Sequence, residues 1–402
     1  MGRLGYLIPE FPRQTHILFW REIEQLRAMG VDPVMVSTRR PPADACPHAF
    51  AEEGRRITTY LFPPPVVAAT VFLLLHPVGL VRALRSWLKL SGTLPRKVRA
   101  LGLLLCAAQL CRLARKTGVT HVHVQSCADS AILTLFAKRL GGPTYSMTML
   151  NPLPVHGPDQ RLKWRHAKFC ILLTKQMHEE VTRSLAGDLP PAVILAPLGV
   201  DHTKYKRSGP YTPWTPAAGP CRIFSCARLN PCKGFDVLIR AVGLLRDTGR
   251  DVKLLIAGED FDSGNGQFRR NLEELRSELK LNDRVEMPGS MSADAVMDHL
   301  EKSHMFALAS HEEPLGVVIL EAMAMSIPVA ATRAGGVPEI IADDQNGLLV
   351  PPANPQAMAD AIGRYLDDPT LAAACSAAGR QTVVDRFGSD LSAKVIRDEM
   401  TT

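Results

Sequence analysis

This sequence is poor in cysteine and in aromatic residues, and over one long interval it has no acidic residue at all. Nine cysteines in 402 residues, none in a C-x-x-C pair, exclude a disulfide-stapled scaffold and favour a reduced, cytoplasmic chain. Cys221, Cys226 and Cys232 lie close together but lack the spacing of zinc ligands. A bilayer span needs about 20 apolar residues. The longest apolar runs, 66–75 and 100–111, fall well short and read as buried or interfacial helices. Residues 5–8 read as a strand rather than the start of a leader. Hydrophobic residues at 46% and charged residues at 22% exclude a disordered, fibrous or coiled-coil chain, and the length points to two domains.

The acid-free interval runs from 54 to 128 and carries eleven Lys or Arg residues. It dominates the charge balance: residues 1–200 hold 25 basic against 12 acidic side chains, and the remainder 22 against 28. Cations interleaved with apolar residues suit an anionic surface such as membrane lipid. Nucleic acid is disfavoured, because aromatics are sparse there and no nucleic-acid motif is present.

Along the chain, short apolar runs alternate with helical patterns. Strands are expected at 4–8, 34–37, 121–124 and 144–148, with helices at 18–29 and 129–140. Strand, crossover helix, strand is the unit of a parallel sheet. Five prolines between 197 and 220 interrupt the pattern and read as a linker. The alternation then resumes from a strand at 222–227 through to 350, and 355–400 reads as helical. The boundaries that follow are a first domain over 1–200, a linker over 201–220, a second domain over 221–380, and a C-terminal helix over 381–402 returning to the first domain. The fold class is α/β, with two doubly wound Rossmann-like domains facing across a cleft, and ligands are expected beyond the carboxyl ends of the strands.

Two constellations carry chemistry. In the segment from Ser310 to Ala324, a strand at 305–308 ends in polar residues and a helix begins near Gly316. A glycine at a helix N-terminus lets backbone amides approach an anion closely. Glu313 and Glu321 bracket that turn, and carboxylates are good acceptors for sugar and ribose hydroxyls. Glu321 sits in a run that is apolar nearly all round, where an idle carboxylate would be costly. The second constellation, Arg228 to Gly234, joins a strand to a helix. Arg228 and Lys233 can converge there on one diphosphate and neutralise charge on a departing nucleotide without a metal.

These residues resemble family 4 of the retaining glycosyltransferases, which have the two-domain GT-B fold. The resemblance rests on the R-L-x-x-x-K-G loop at 228–234, the Glu313-x7-Glu321 pair, Ala331 to Glu339 and Asn346 to Pro351. More loosely, Phe11 to His16, Trp20-Arg21-Glu22-Ile23 and His121-Val122-His123 are similar to the exopolysaccharide (colanic-acid-like) branch, in lipopolysaccharide or other cell-envelope assembly. The resemblance implies that Arg228 and Lys233 bind the donor diphosphate, Glu321 the ribose and Glu313 the transferred sugar. The Gly316 and Val317 amides would lie near sugar and phosphate. Gly258 and Met291 would contact the donor, Met291 in the turn that reads the base. It also implies a nucleotide diphosphate-sugar as substrate, no metal or other cofactor, and an acceptor that is a saccharide or polyprenyl-linked. The protein would be cytoplasmic, with peripheral contact to an anionic membrane and no nucleic acid.

One position departs from the pattern. The family's S-x-T-x-H motif reads Ser146-Met147-Thr148-Met149-Leu150, and leucine neither exchanges protons nor donates a hydrogen bond. His16, on the loop after the first strand, is the best replacement and a candidate catalytic residue with Glu313, Arg228 and Lys233. Asn151, His123 and His156 are the other candidates. The alternative reading is a degenerate subunit that binds a nucleotide-sugar or lipid within a polysaccharide assembly complex. Another reaction on the same fold, epimerase or phosphorylase, lacks a recognisable second catalytic pair.

Overall fold

A computed structural model describes residues 2–260 and 265–401. The chain divides into two compact units, Met1–Pro197 with Asp390–Thr402, and Leu198–Ser389. In unit 1 the strands are β1 (Arg3–Ile8), β2 (Val34–Ser37), β3 (Thr59–Tyr60), β4 (Val119–Val124), β5 (Thr144–Met149), β6 (Phe169–Leu172) and β7 (Ala192–Leu195). They form one parallel sheet in the order β3-β2-β1-β4-β5-β6-β7. Tyr6 of β1 is registered against Met35 on one side and His123 on the other. Leu4, Tyr6, Leu7 and Ile8 are all buried, as expected of a parallel strand covered on both faces.

The helices of unit 1 are α1 (Ile17–Ala28), α2 (Ala51–Ile57), α3 (Val66–Leu74), α4 (Pro77–Leu88), α5 (Leu94–Thr117), α6 (Asp129–Arg139), α7 (Gln160–Arg165) and α8 (Lys175–Ser184). The long α5 starts with proline in its first turn and stops at Gly118 in a left-handed conformation, which ends helices cleanly. It returns the chain from the β3 edge to β4, beside β1.

Unit 2 holds β8 (Cys221–Cys226), β9 (Val252–Ala257), β10 (Val285–Gly289), β11 (Met305–Leu308), β12 (Val329–Thr332) and β13 (Leu348–Val350), parallel in the order β10-β9-β8-β11-β12-β13. Its helices are α9 (Phe235–Asp247), α10 (Gln267–Glu278), α11 (Ala293–Lys302), α12 (Val317–Ala324), α13 (Val337–Ile340), α14 (Pro355–Asp367) and α15 (Pro369–Arg386). Residues 198–220 pack within this unit: Tyr205 and Trp214 are buried, and the Tyr211 hydroxyl donates to the His304 carbonyl. The last helix, α16 (Leu391–Thr401), lies in unit 1 against α1.

In each sheet the strand order reverses at one place, between β1 and β4 in unit 1 and between β8 and β11 in unit 2. At such a switch point the loops leaving the two strands part in opposite directions and open a crevice. The short edge strands β3 and β7 had no counterpart in the sequence reading. The helical tract at 355–400 is three helices, broken where Asp368 caps α15 by accepting from the Thr370 and Leu371 amides.

Candidate functional site

The switch point of unit 2 gathers the sequence-predicted donor residues. The loop after β8 carries Arg228 and Lys233, and the loop after β11 carries Ser310 and Glu313. Lys233 Nζ lies 2.7 Å from Glu313 Oε2, and the two side chains are only 13% and 9% exposed. The Ser310 hydroxyl donates to the same carboxylate oxygen at 3.2 Å. The loops are tied through backbone, the His311 amide donating to the Cys232 carbonyl at 2.7 Å. Asn230 shapes the first loop by accepting from the Cys232 amide at 3.0 Å.

A third loop fixes Glu313 from behind. The Gly336 amide donates to the Glu313 carbonyl at 2.9 Å. At Gly335 φ is +52°, and a Cβ there would stand 2.2 Å from that carbonyl oxygen, so only glycine fits. Gly316, with φ +91°, is the N-cap of α12. Beyond it the Val317 and Val318 amides precede the first bond to the Gly316 carbonyl, made by Ile319 at 2.9 Å, and carry the positive end of the helix dipole.

Glu321 is buried within α12 and faces the end of β8. Its charge reaches the Cys226 thiol, which burial first and Glu321 second push up to about 12. Burial likewise raises the Cys232 thiol, where the charges of Lys233, Glu313 and Arg228 all meet. Arg228, Lys233, Glu313, Gly316, Val317 and Glu321 are thus brought to one end of one sheet. Gly258 adjoins them: its amide donates to the Gly289 carbonyl at 2.8 Å, and the Leu229 amide donates to the neighbouring Glu259 carbonyl at 3.0 Å. Met291 follows β10 and is half-buried.

Unit 1 has its own cavity of about 600 Å³ at its switch point. Glu10, Arg13 and His16 line it from the loop after β1, and Gln125, Ser126 and Asp129 from the segment after β4. Leu150, Asn151 and His156 line it from the segment after β5. His16 is held by the Arg13 amide, which donates to Nδ1 at 3.2 Å, and its ring stacks on Phe11. Burial, and secondarily the Arg13 charge, push its pKa down to about 3. The imidazole is therefore neutral near pH 7, with Nδ1 accepting and the proton on Nε2. His156 Nε2 donates to the Asn151 carbonyl at 3.0 Å, and burial brings its pKa down to about 4.

His123 does not reach this cavity, which corrects one expectation. It is fully buried in a ladder across β4 and β5. Thr144 Oγ1, His121 Nδ1 and Nε2, Ser146 Oγ, His123 Nδ1 and Nε2, and Thr148 Oγ1 follow one another at 2.7–2.8 Å. Two neutral imidazoles, each with one donor and one acceptor, satisfy this chain in a single direction. It runs to the Thr120 carbonyl, which accepts from Thr144 at 3.4 Å. Both rings stack on Phe169, and burial pushes both pKa values down to about 3. The Ser-x-Thr part of the motif holds histidines in place rather than touching a ligand.

A second buried network also escaped the sequence reading. The Tyr6 hydroxyl donates to Glu22 Oε2, and Gln125 Nε2 donates to the same oxygen at 2.6 Å. Burial raises the Glu22 carboxyl to about 7. This ties β1, α1 and β4 together directly under the cavity wall. Alternating polar residues on β4 and β5 were the available signal for the ladder; for Glu22 it was a carboxylate on the apolar face of α1.

Comparisons with known proteins bear on the family and the fold. The family described as "Glycosyl transferases group 1" matches residues 215–382. Over 283 residues the chain is 31% identical to the alpha-D-kanosaminyltransferase of Streptomyces kanamyceticus, covering 65% of this chain and 71% of that one. It is 32% identical over 188 residues to the colanic acid biosynthesis glycosyltransferase WcaL of Escherichia coli K12, covering 45% and 44%. The structure of Anabaena Alr3699/HepE in complex with UDP and glucose superposes with a TM-score of 0.75 at 17% identity, over the whole of both chains. The fold is GT-B.

Proposed function

We propose that this chain, which belongs to the group 1 glycosyltransferases and is a hexosyltransferase, moves a sugar with retention from a nucleotide diphosphate-sugar to a polysaccharide or lipid-linked saccharide. The setting would be exopolysaccharide or cell-envelope assembly, a reading that the likeness to WcaL supports. The observation that carries it is the buried Lys233–Glu313 pair, with Arg228 and the open end of α12 beside it. Here a cation is held in reserve by a carboxylate. An arriving diphosphate draws Lys233 and Arg228 to its oxygens, and Glu313 is left to accept hydroxyls of the transferred sugar. Glu321 accepts from the ribose, the Gly316 and Val317 amides face the sugar and phosphate, and Gly258 and Met291 complete the nucleotide side.

As the bond to the leaving phosphate breaks, negative charge grows on the diphosphate. Arg228, Lys233 and the α12 dipole oppose it. The reading calls for no resident metal. The acceptor side is the cavity of unit 1, where neutral His16 offers an Nε2 proton to a hydroxyl or phosphate oxygen. Peripheral contact with an anionic membrane belongs to the same reading.

The experiment is thermal unfolding with UDP, GDP or ADP, each with and without EDTA, beside R228A/K233A. A ligand at a hundred times its Kd stabilises by about 2.7 kcal/mol. The expected result is that one nucleotide raises the Tm of the wild type and not of the variant, indifferent to EDTA, and that the matching nucleotide-sugar is turned over. Leu150 in the cavity wall favours one second reading, a subunit that binds the donor without transferring it. Stabilisation by nucleotide without any turnover, in the presence of saccharide and lipid-linked acceptors, would select that reading. No stabilisation by any of the three would overturn both.

A further inference from the structure

The exposed apolar surface of this protein is concentrated in one place. Of fifteen large apolar residues exposed among the described residues, twelve lie between Phe62 and Leu101. Helix α3 has nine residues and not one charge. Its inner face buries Ala69, Phe72 and Leu73, yet Val66, Val67, Val71 and Leu74 point outward and are exposed. A helix that is apolar all round belongs inside a protein or against lipid, and this one has protein on one side only.

Helix α4 leaves α3 at 105°, and three strongly exposed apolar residues lie at that bend. Leu74 is 68% exposed, Leu75 72% and Val78 64%. From there the outward face of α4 runs Val78, Val81, Arg82, Arg85, Leu88, Lys89, at the spacing of one helical stripe. Its opposite face buries Ala83 and Ser86. The apolar tip is therefore followed directly by three exposed cations. No acidic residue occurs anywhere from 54 to 128 to oppose them.

We propose that this face is a docking surface for an anionic lipid bilayer. The α3–α4 bend enters the interface, while Arg82, Arg85 and Lys89 lie at the level of the phosphates. The proposal rests on the peripheral contact read above and names its surface. Charge selects the occupant. A second copy presenting the same face would set these cations against their own equivalents, and the carboxylates that face this segment, Asp129 and Asp159, are already paired with Arg99 and Arg96. No single helix among the described residues is long and apolar enough to cross a membrane, and the α3–α4 pair, which has the length and composition only when taken together, turns through 105° between its helices. The surface also runs into the cavity of unit 1, whose wall includes Phe62, Arg99 and Leu103. A saccharide on a lipid carrier could then enter without leaving the bilayer.

The test is flotation of the full chain with vesicles of phosphatidylcholine alone or mixed with phosphatidylglycerol. The wild type should float with the mixed vesicles only. The variant L74S/L75S/V78S changes exposed side chains alone and should lose on the order of a hundredfold in partitioning. Since a cation near an anionic surface is worth about fivefold, R82Q/R85Q/K89Q should lose about a hundredfold and become insensitive to phosphatidylglycerol. Failure of the wild type to float, or unchanged flotation of both variants, overturns the proposal. So does a wild type that sediments as a dimer which the first variant dissociates. The Tm rise with nucleotide is read on the same preparations, so a chain that floats but binds no nucleotide sinks the donor reading alone.

Discussion

The Lys233–Glu313 pair gives the sharpest test of the proposed donor site, because it links stability to binding. In K233M the Glu313 carboxylate stays 9% exposed, with only the Ser310 hydroxyl among the bonded side chains. Stranding one member of a buried pair costs about 3–5 kcal/mol. At about 2–4 °C per kcal/mol for a unit of this size, Tm should fall by about 10 °C. E313Q keeps an acceptor for Lys233 Nζ and should lose less. K233M/E313Q strands no charge, so it should be more stable than K233M, with a coupling of about 2 kcal/mol in the double-mutant cycle. Thermal unfolding of the four proteins, with and without the preferred nucleotide, reads both effects. K233M should also lose the nucleotide-dependent rise, whereas E313Q should keep it and lose the preference for nucleotide-sugar over nucleotide. Equal Tm for K233M and wild type, or strictly additive single losses, would refute the view that the pair is buried and mutually dependent.

Two further outcomes follow from named contacts. Glu22 holds its proton up to about pH 7 in the folded chain, against 4.5 ordinarily. The unfolded chain releases that proton first, so this group's contribution to stability falls as pH rises through that window. At about 1.36 kcal/mol per pH unit the loss totals about 3 kcal/mol. E22Q cannot ionise, so its urea-unfolding free energy should gain on the wild type across the window and then level off; a difference flat with pH would refute the assignment. G335A would drive a Cβ to 2.2 Å from the Glu313 carbonyl oxygen at a φ of +52°, costing about 1–3 kcal/mol and displacing Glu313. Discrimination between nucleotide-sugar and nucleotide should weaken while affinity for the bare nucleotide, which the proposal assigns to Arg228 and Lys233, changes little; unchanged discrimination would show that the loop does not position Glu313.

What was legible in the sequence follows from how many residues cooperate in each signal. Strands such as Val34–Ser37, Val252–Ala257 and Met305–Leu308 are mostly apolar runs bounded by turns, and the loops carrying Arg228, Lys233 and Glu313 announce themselves by glycines and charges at fixed offsets. β3 is an edge strand of two residues and carries no period to read, whereas β7 is an apolar run like the others, passed over among the prolines that flank it. The His121–His123 ladder was hidden for another reason. Alternating polar residues on β4 and β5 look like a solvated face until β5 is placed beside β4 and Phe169 closes over both. The cavity of unit 1 needed strand order rather than strand identity. Arg13, Gln125 and Leu150 are far apart in the chain and meet only because β1 and β4 are neighbours at the switch point.

That same strand order bears on what Leu150 means. Read linearly, leucine in the last place of the S-x-T-x-H motif removes the histidine and leaves nothing to do its work. In the folded unit, Leu150 lines a cavity together with His156 of its own segment and His16 of the loop after β1. The two histidines are not equivalent. His156 spends its Nε2 proton on the Asn151 carbonyl, so it is engaged in shaping its own loop. His16 is fixed at the opposite nitrogen by the Arg13 amide, which leaves the Nε2 proton for whatever enters. Its low pKa keeps it a neutral donor throughout the physiological range, a state suited to hold an acceptor oxygen in place and unsuited to carry away a proton as imidazolium. Proton removal from an acceptor would then fall to a group other than His16. On this argument the substitution at 150 shifts the hydrogen bond to another loop of the same crevice rather than abolishing it.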